Sequence, residues 1–376
     1  GYSPDSFDEW GQILAPWRDV VSPVVLGAEN LPPLGSPLAA RPMLFVGNHQ
    51  RIGFYDTPLL VYELAMLGYR VRGLAHPGHW AGPLGPFFER FGAVRASPLA
   101  AFRLLRSGEK VLLFPGGAKE VVKPRGAEYS LLWKDEPDFV RLAAKAGALI
   151  VPFAAVGADD AYDVALDTEE VLAHPVLGRL ARTILAAVSP DLDPHESVMP
   201  ITRLPGIGLP SPIPLPALNR LYFKFGAPVD TAPLAKELKD PAAAEALYGQ
   251  VRRAVEELMA EALVYRAGDP GASVGGRITA SFERWAPLMR DAAQGKVSGV
   301  RANSEGPTVM AEAGASDDDE AAAVSTGGMW PPSPAAGAGA ADHDAGSSSR
   351  GHAGGGAGSG YYGSSNGNSP APGTRA

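Results

Sequence analysis

The 376 residues are 45% hydrophobic, carry a formal net charge of −8 and include no cysteine. That length admits a large core, and the missing thiols exclude a disulfide framework, a thiolate nucleophile and thiolate-bound metals. The acidic balance, with no basic stripe, argues against a nucleic-acid partner, and no run of about 18 apolar residues exists to span a bilayer.

In chain order, "MLFVGN" (43–48) predicts a buried strand, and "DTPLLVYELAMLG" (56–68) a helix opened by Asp56 or Thr57, with Pro58 in its first turn and Gly68 at its end. "YRVRGLA" (69–75) is the next strand. "AVRAS" (93–97) leads into "SPLAAFRLLRSG" (97–108), a helix capped by Ser97 with Pro98 at its first position. "KVLLF" (110–114) is a third clear strand, and the helix "PDFVRLAAKAG" (137–147) feeds a fourth, "ALIVPFAAVG" (148–157). Strands alternating with single helices need right-handed crossovers, which give a mostly parallel sheet covered on both faces. The expected fold class is therefore α/β: a single three-layer domain with a mostly parallel central sheet flanked by helices. "RLYFKFG" (220–226) and the long helix from "DPAAAEAL" (240–247) onward complete the sheet and cover one face, and "RITASFERWAPLMRDAA" (277–293) reads as a last amphipathic helix.

One region breaks the rhythm. "MPITRLPGIGLPSPIPLPALNRLYF" (199–223) is too rich in proline for a helix or a central strand, yet it is apolar. Two readings stay open: a long loop packed on the core or, together with the amphipathic "PVLGRLARTILAAV" (175–188), a surface that touches lipid. From about Ala311 the chain turns to Ala, Gly, Ser, Pro and Asp, with too few aliphatic residues to offset ordering entropy. The expected division is a domain over 1–295, with a helical lead-in, and a disordered low-complexity tail over 296–376. The start at Gly1, without a methionine or an apolar leader, suggests a processed or trimmed form.

Two motifs are decoys. "GASVG" (271–275) matches a nucleophile elbow, but a long helix rather than a strand precedes Ser273, and the only later histidines, His343 and His352, lie in the expected tail. "HPGH" places His76 and His79 three residues apart without a third ligand at metal spacing, which favours a pocket-lining or structural role; no metal is expected. The stronger signal is "VLLFPGGAKEVVKPRGAEYSLLW" (111–133), where a buried strand ends in Phe114 and Pro115. Gly116 and Gly117 then let backbone approach a ligand, and Lys119, Lys123 and Arg125 follow. That suits an anionic group or a developing oxyanion, and equally a tight turn with a solvated charged face. Both this turn and "GNHQRIGFYD" (47–56) follow strands, so a parallel sheet would set them on one rim.

Four blocks, "VGNHQRIGFYD", "FPGGAKEV", "RGAEYSLLW" and "IVPFAAVGADD", resemble the glycerolipid acyltransferase superfamily. The likeness covers about 42–270 and points to the plant and algal esterase/lipase/thioesterase branch that includes phytyl ester synthases, related to type 2 diacylglycerol acyltransferases. It implies a glycerol-phosphate-acyltransferase-like fold and an O-acyltransferase that moves a fatty acyl group from acyl-CoA, acyl carrier protein or a lipid donor to phytol or diacylglycerol. By the same resemblance His49 is the general base, a role suited to imidazole, and Asp56 is its acidic partner. Arg51, His76, Phe114, Pro115, Gly116, Gly117, Lys119, Glu120 and Arg125 are the expected substrate-binding residues.

Many members of the superfamily carry a glutamate where this chain has Gly116; its loss resembles the diacylglycerol and phytyl ester branch and argues against a phosphorylated glycerol acceptor. The superfamily's acid stands five residues after the histidine, where this chain has Phe54; Asp56 is two further on. A bulge in "RIGFY" would bring Asp56 to the imidazole; otherwise Asp56 caps the following helix, and the partner of His49 is Glu120 or a backbone carbonyl. The resemblance also implies no cofactor beyond the acyl thioester co-substrate, lipid partners at a membrane, lipid-droplet or plastoglobule surface, a possible acyl carrier protein partner, and a plastid location. A catalytically silent lipid-binding protein and a lipid hydrolase are the rival readings.

Overall fold

The computed structural model describes residues 4–80 and 85–279. In chain order the elements are α1 (Pro4–Val21), β1 (Val24–Leu26), β2 (Met43–Gly47), α2 (Thr57–Met66), β3 (Val71–Ala75), α3 (Gly85–Arg90), β4 (Ala93–Arg95), α4 (Pro98–Arg106), β5 (Lys110–Leu113), α5 (Ala118–Val121), α6 (Asp138–Ala146) and β6 (Leu149–Val156). After these come β7 (Asp163–Leu166), α7 (Thr168–Ala173), α8 (Leu177–Val188), α9 (Pro194–Ser197), β8 (Ile201–Arg203), β9 (Pro210–Ser211), β10 (Tyr222–Phe225), β11 (Val229–Asp230) and α10 (Pro241–Ala267).

The main sheet runs β1-β10-β6-β2-β5-β3-β4, with β11 also paired to β6. From β6 to β4 every pairing is parallel, whereas β10 and β11 run antiparallel to β6. The chain returns to β10 through a long insertion rather than a single crossover helix, so nothing constrains that strand to the parallel direction.

Alternation along the central strands builds the two cores. Met43 and Phe45 of β2, with Val151 and Phe153 of β6, face the side packed by α2; Leu44, Val46, Ile150 and Ala154 face the side packed by α6 and α10. Helix ends follow the expected chemistry: Ser97 Oγ accepts from Ala100 N at 3.1 Å, and Gly68 (φ 86°) ends the turn after α2.

The insertion between β6 and β10 departs from expectation. Its proline-rich stretch contributes β8 and β9 to a separate three-stranded antiparallel sheet, in which β8 is the middle strand. Proline in this small sheet sits only on the two-residue edge strand β9, where no ladder N–H is missed. The middle of the stretch is not packed on the core, since Ile207, Leu209 and Ile213 are exposed, whereas its last residues Leu221, Tyr222 and Phe223 are fully buried. Of the expected last helix, residues 277–279 are helical and continue from Val274; the rest, and the expected tail, lie outside the described residues.

Candidate active site

Strands β5, β2 and β6 lie side by side and parallel, so their carboxyl ends share one edge. The chain leaves β2 through Asn48, whose side-chain amide donates to Ala155 O and accepts from Ala155 N, both at 2.8 Å, extending the pairing to β6 by one residue. His49 follows. Beyond it Ile52 (φ 68°) and Gly53 (φ 70°) are both left-handed, which folds residues 50–55 into a bulge. Gly53 lies directly under the imidazole: a Cβ there would come within 2.4 Å of His49 Cε1, so only glycine leaves the ring its place.

Phe114, at the end of β5, stacks on the His49 ring with centroids 4.1 Å apart. The His49 main-chain N–H donates to Glu120 Oε2 at 2.7 Å, and Glu120 Oε1 accepts from Leu132 N at 2.9 Å. His49 Nδ1 is buried without a hydrogen-bond partner. Burial, and then the Lys123 ammonium and His79, push the His49 pKa down to about 3. The imidazole is thus neutral across the physiological range, the protonation state a base requires.

Asp56 occupies the N-cap position of α2, but its backbone is already helical (φ −100°, ψ −43°) and its side chain makes no cap hydrogen bond, which removes the capping reading. Instead Oδ2 accepts from Gln50 Nε2 at 3.2 Å, and Oδ1 is buried and unpartnered. Burial pushes its pKa up to about 7. No hydrogen bond joins it to His49. Glu120 engages the histidine through the main chain, not through the ring.

The remaining expected binding residues divide. Arg51 is fully buried: its guanidinium donates to the carbonyls of Lys123, Asp159 and Pro124 and to Glu128 Oε1, so it serves the loop scaffold and not substrate contact. Arg125 is exposed and pairs with Asp167 and Glu170 at the start of α7, which raises its pKa. His76 is half-buried, with Nδ1 accepting from Gly78 N at 3.2 Å. Lys119 is exposed and, among the described residues, has no ion-pair partner. Phe114, Pro115, Gly116 and Gly117 form the turn after β5, closed by Gly117 N donating to Phe114 O at 3.0 Å, and of these Phe114 is the one stacked on the imidazole. Ser273 of the decoy motif follows a single 3-10 turn and caps a helix, its Oγ accepting from Gly276 N at 3.0 Å.

The buried scaffold of the rim was not foreseen. Asp159, in the block after β6, accepts from Arg51 N at 2.6 Å, Lys123 Nζ at 2.9 Å and Tyr129 N at 2.7 Å, tying together the loops after β2, β5 and β6. Gln50 Oε1 adds a bond from Ala158 N at 2.6 Å. The sequence signal was there in "NHQR", whose polar residues continue a buried strand and therefore need buried partners.

Residues 23–156, from β1 to the end of β6, match the acyltransferase family. These residues form an acyltransferase domain. It is similar to phytyl ester synthase 2, chloroplastic, of Arabidopsis thaliana, with 34% identity over 66% of this chain and 35% of that protein. Its likeness to phytyl ester synthase 1, chloroplastic, of the same plant is 33% identity over 69% of this chain and 37% of that protein. An uncharacterized protein of Mycobacterium tuberculosis is 29% identical over 64% of this chain and 62% of its own length. The crystal structure of a 1-acyl-sn-glycerophosphate acyltransferase, PlsC, from Thermotoga maritima aligns over 68% of this chain and 79% of that one, with a TM-score of 0.35 and 17% identity. The chain spans about a third of the length of the plant relatives. The acyltransferase family match covers the strands that build the rim, with His49, Asp56, Phe114 and Glu120 all inside it.

Proposed function

We propose that the protein is an O-acyltransferase that forms a neutral lipid ester from an acyl thioester and a hydrophobic alcohol, phytol or diacylglycerol. The observation that carries this is a neutral His49, stacked on Phe114 at the sheet edge that the family match covers. In the reaction Nε2 removes the proton of the acceptor hydroxyl as its oxygen attacks the thioester carbonyl carbon. The tetrahedral intermediate then expels the thiolate, the C–S bond breaks, and the proton passes from the imidazolium to sulfur. Asp56 is the acidic partner: a contact between its Oδ1 and His49 Nδ1 would satisfy both unpartnered atoms and offset the burial that disfavours the imidazolium.

Aromatic side chains support an apolar acceptor. Phe54 is half-exposed and packs edge-on against His79 with centroids 5.7 Å apart, and Phe88 lies 4.8 Å from His79. Lys119, on the turn that follows Phe114, suits the phosphate groups of a coenzyme or carrier donor.

The insertion supports work at a lipid surface. Val176, just before α8, and Leu180, Ile184 and Val188 along it are 67, 55, 55 and 52% exposed and recur every four residues. Arg179 and Arg182 flank this stripe, and the helix carries no acidic residue. Among the described residues no helix is long and apolar enough to cross a membrane. The chloroplastic relatives support a plastid location.

A silent lipid-binding protein is the second reading, favoured by the missing His49–Asp56 hydrogen bond. Incubating the protein with radiolabelled acyl-CoA or acyl carrier protein, with and without phytol or diacylglycerol, tests both. Labelled neutral ester that depends on added alcohol is expected. Free fatty acid without an acceptor would mark a hydrolase, and no product from any pairing would leave the silent reading.

A further inference from the structure

Glu120 is wholly buried, and both of its oxygens are engaged by main-chain donors of distant segments, Oε2 by His49 N at 2.7 Å and Oε1 by Leu132 N at 2.9 Å. The carboxylate reaches them by folding back over Gly116. A Cβ at residue 116 would lie 2.3 Å from Glu120 Cδ and 2.7 Å from Oε2, so this glycine leaves the room that the carboxylate fills. We infer that Glu120 is a positioning residue for acyl transfer: its carboxylate fixes the main chain of His49 against the 128–132 segment, and so fixes where the imidazole points. The inference rests on the reading of His49 as the base.

The geometry makes the hold depend on ionisation. A carboxylate accepts from both N–H groups, whereas a neutral acid turns one oxygen into a hydroxyl that offers a proton of its own. Burial pushes the Glu120 pKa up to about 7; Lys123, on the same turn, and the two N–H donors oppose that, while Asp159 adds to it. Tyr248 of α10 and the neutral His49 complete the titratable groups that face it. The hold on His49 is therefore half lost at about pH 7, stronger above it and weaker below. Asp56 titrates in the same region, so a pH–rate profile alone does not assign the limb.

Selective 15N-histidine labelling of the full chain leaves seven backbone amides to follow, and the His49→Ala variant identifies the one that matters. On titration from about pH 5.5 to 8.5 the His49 amide proton is expected to move downfield with a midpoint near 7. In Glu120→Gln that titration is expected to vanish and kcat to fall by about 10²-fold, the scale of a misplaced catalytic group, with the thioester KM little changed. Gly116→Ala, which pushes the carboxylate aside and leaves its charge in the protein, is expected to remove the titration as well. Its loss of activity is expected to be absorbed in Gly116→Ala/Glu120→Ala, where the shortened side chain makes room for the new methyl. An unchanged amide titration in Glu120→Gln, a wild-type kcat in that variant, or fully additive losses in the double variant would each overturn the assignment. Should Glu120→Gln not fold, the Gly116→Ala titration decides it. Full turnover by His49→Ala would defeat the base reading itself, and the amide titration would still decide the contact.

Discussion

His49 and Asp56 are each left with a buried atom that the protein does not satisfy, a state that costs free energy and is tolerated where function needs it. Asp56 gives the point a measurable form. Its folded pKa, about 7, is raised above its ordinary value, so Asp56 favours folding below about pH 4, and that contribution is lost as pH rises through 7. Asp56→Asn, which keeps the Gln50 contact through its amide oxygen, is therefore expected to raise the melting temperature at pH 8, change it little at pH 4, and slow acyl transfer. Differential scanning calorimetry at the two pH values, with turnover measured alongside, checks this; unchanged stability and turnover would remove Asp56 from the site. His49 was picked out from the sequence because it follows a strand and the Gly47–Asn48 pair. The contact of Gln50 with Asp56 was not, because the left-handed angles at Ile52 and Gly53 fold the segment between them, and neither was the hold of Glu120 on the His49 backbone, because it depends on a side chain folding back over Gly116.

At the scale of elements, the site consists of three strand ends bound together by one buried ion pair. Lys123 and Asp159 are both inaccessible, and Asp159 also holds the loops after β2 and β5. Lys123→Met leaves that carboxylate buried without its cation and is expected to destabilise the protein by about 3–5 kcal/mol, measured by denaturant unfolding. A loss under about 1 kcal/mol would show that the loops hold without the pair. The helix α8 makes a separate prediction. Burying a Leu or Ile side chain in an apolar phase is worth about 1.5–3 kcal/mol, so Leu180→Asp and Ile184→Asp are each expected to weaken sedimentation with anionic vesicles by about tenfold or more. Equal binding by wild type and both variants would rule out the stripe as a lipid contact. The amphipathic pattern of 175–188 was readable from the residues; the small sheet of β7, β8 and β9 was not, since strands of two to four residues leave almost no periodic signal.

The whole molecule was legible where helices and strands alternate. Strands β2, β3, β5 and β6, their helices and the shared rim follow from period and punctuation, and the four blocks led to the acyltransferase family. What escaped was set by long-range pairing: β10 turned antiparallel at the end of a long insertion, and Arg51 was drawn inward by carbonyls of residues 123, 124 and 159. The assembled picture makes one claim central, that the neutral imidazole on this rim removes the acceptor's proton. Its most direct test is single-turnover transfer of a labelled acyl group to phytol or diacylglycerol by His49→Ala, with the melting temperature confirmed at the wild-type value. A rate lower by about 10²- to 10⁴-fold with the fold intact is the outcome this mechanism requires. Wild-type transfer by a folded His49→Ala protein would contradict it.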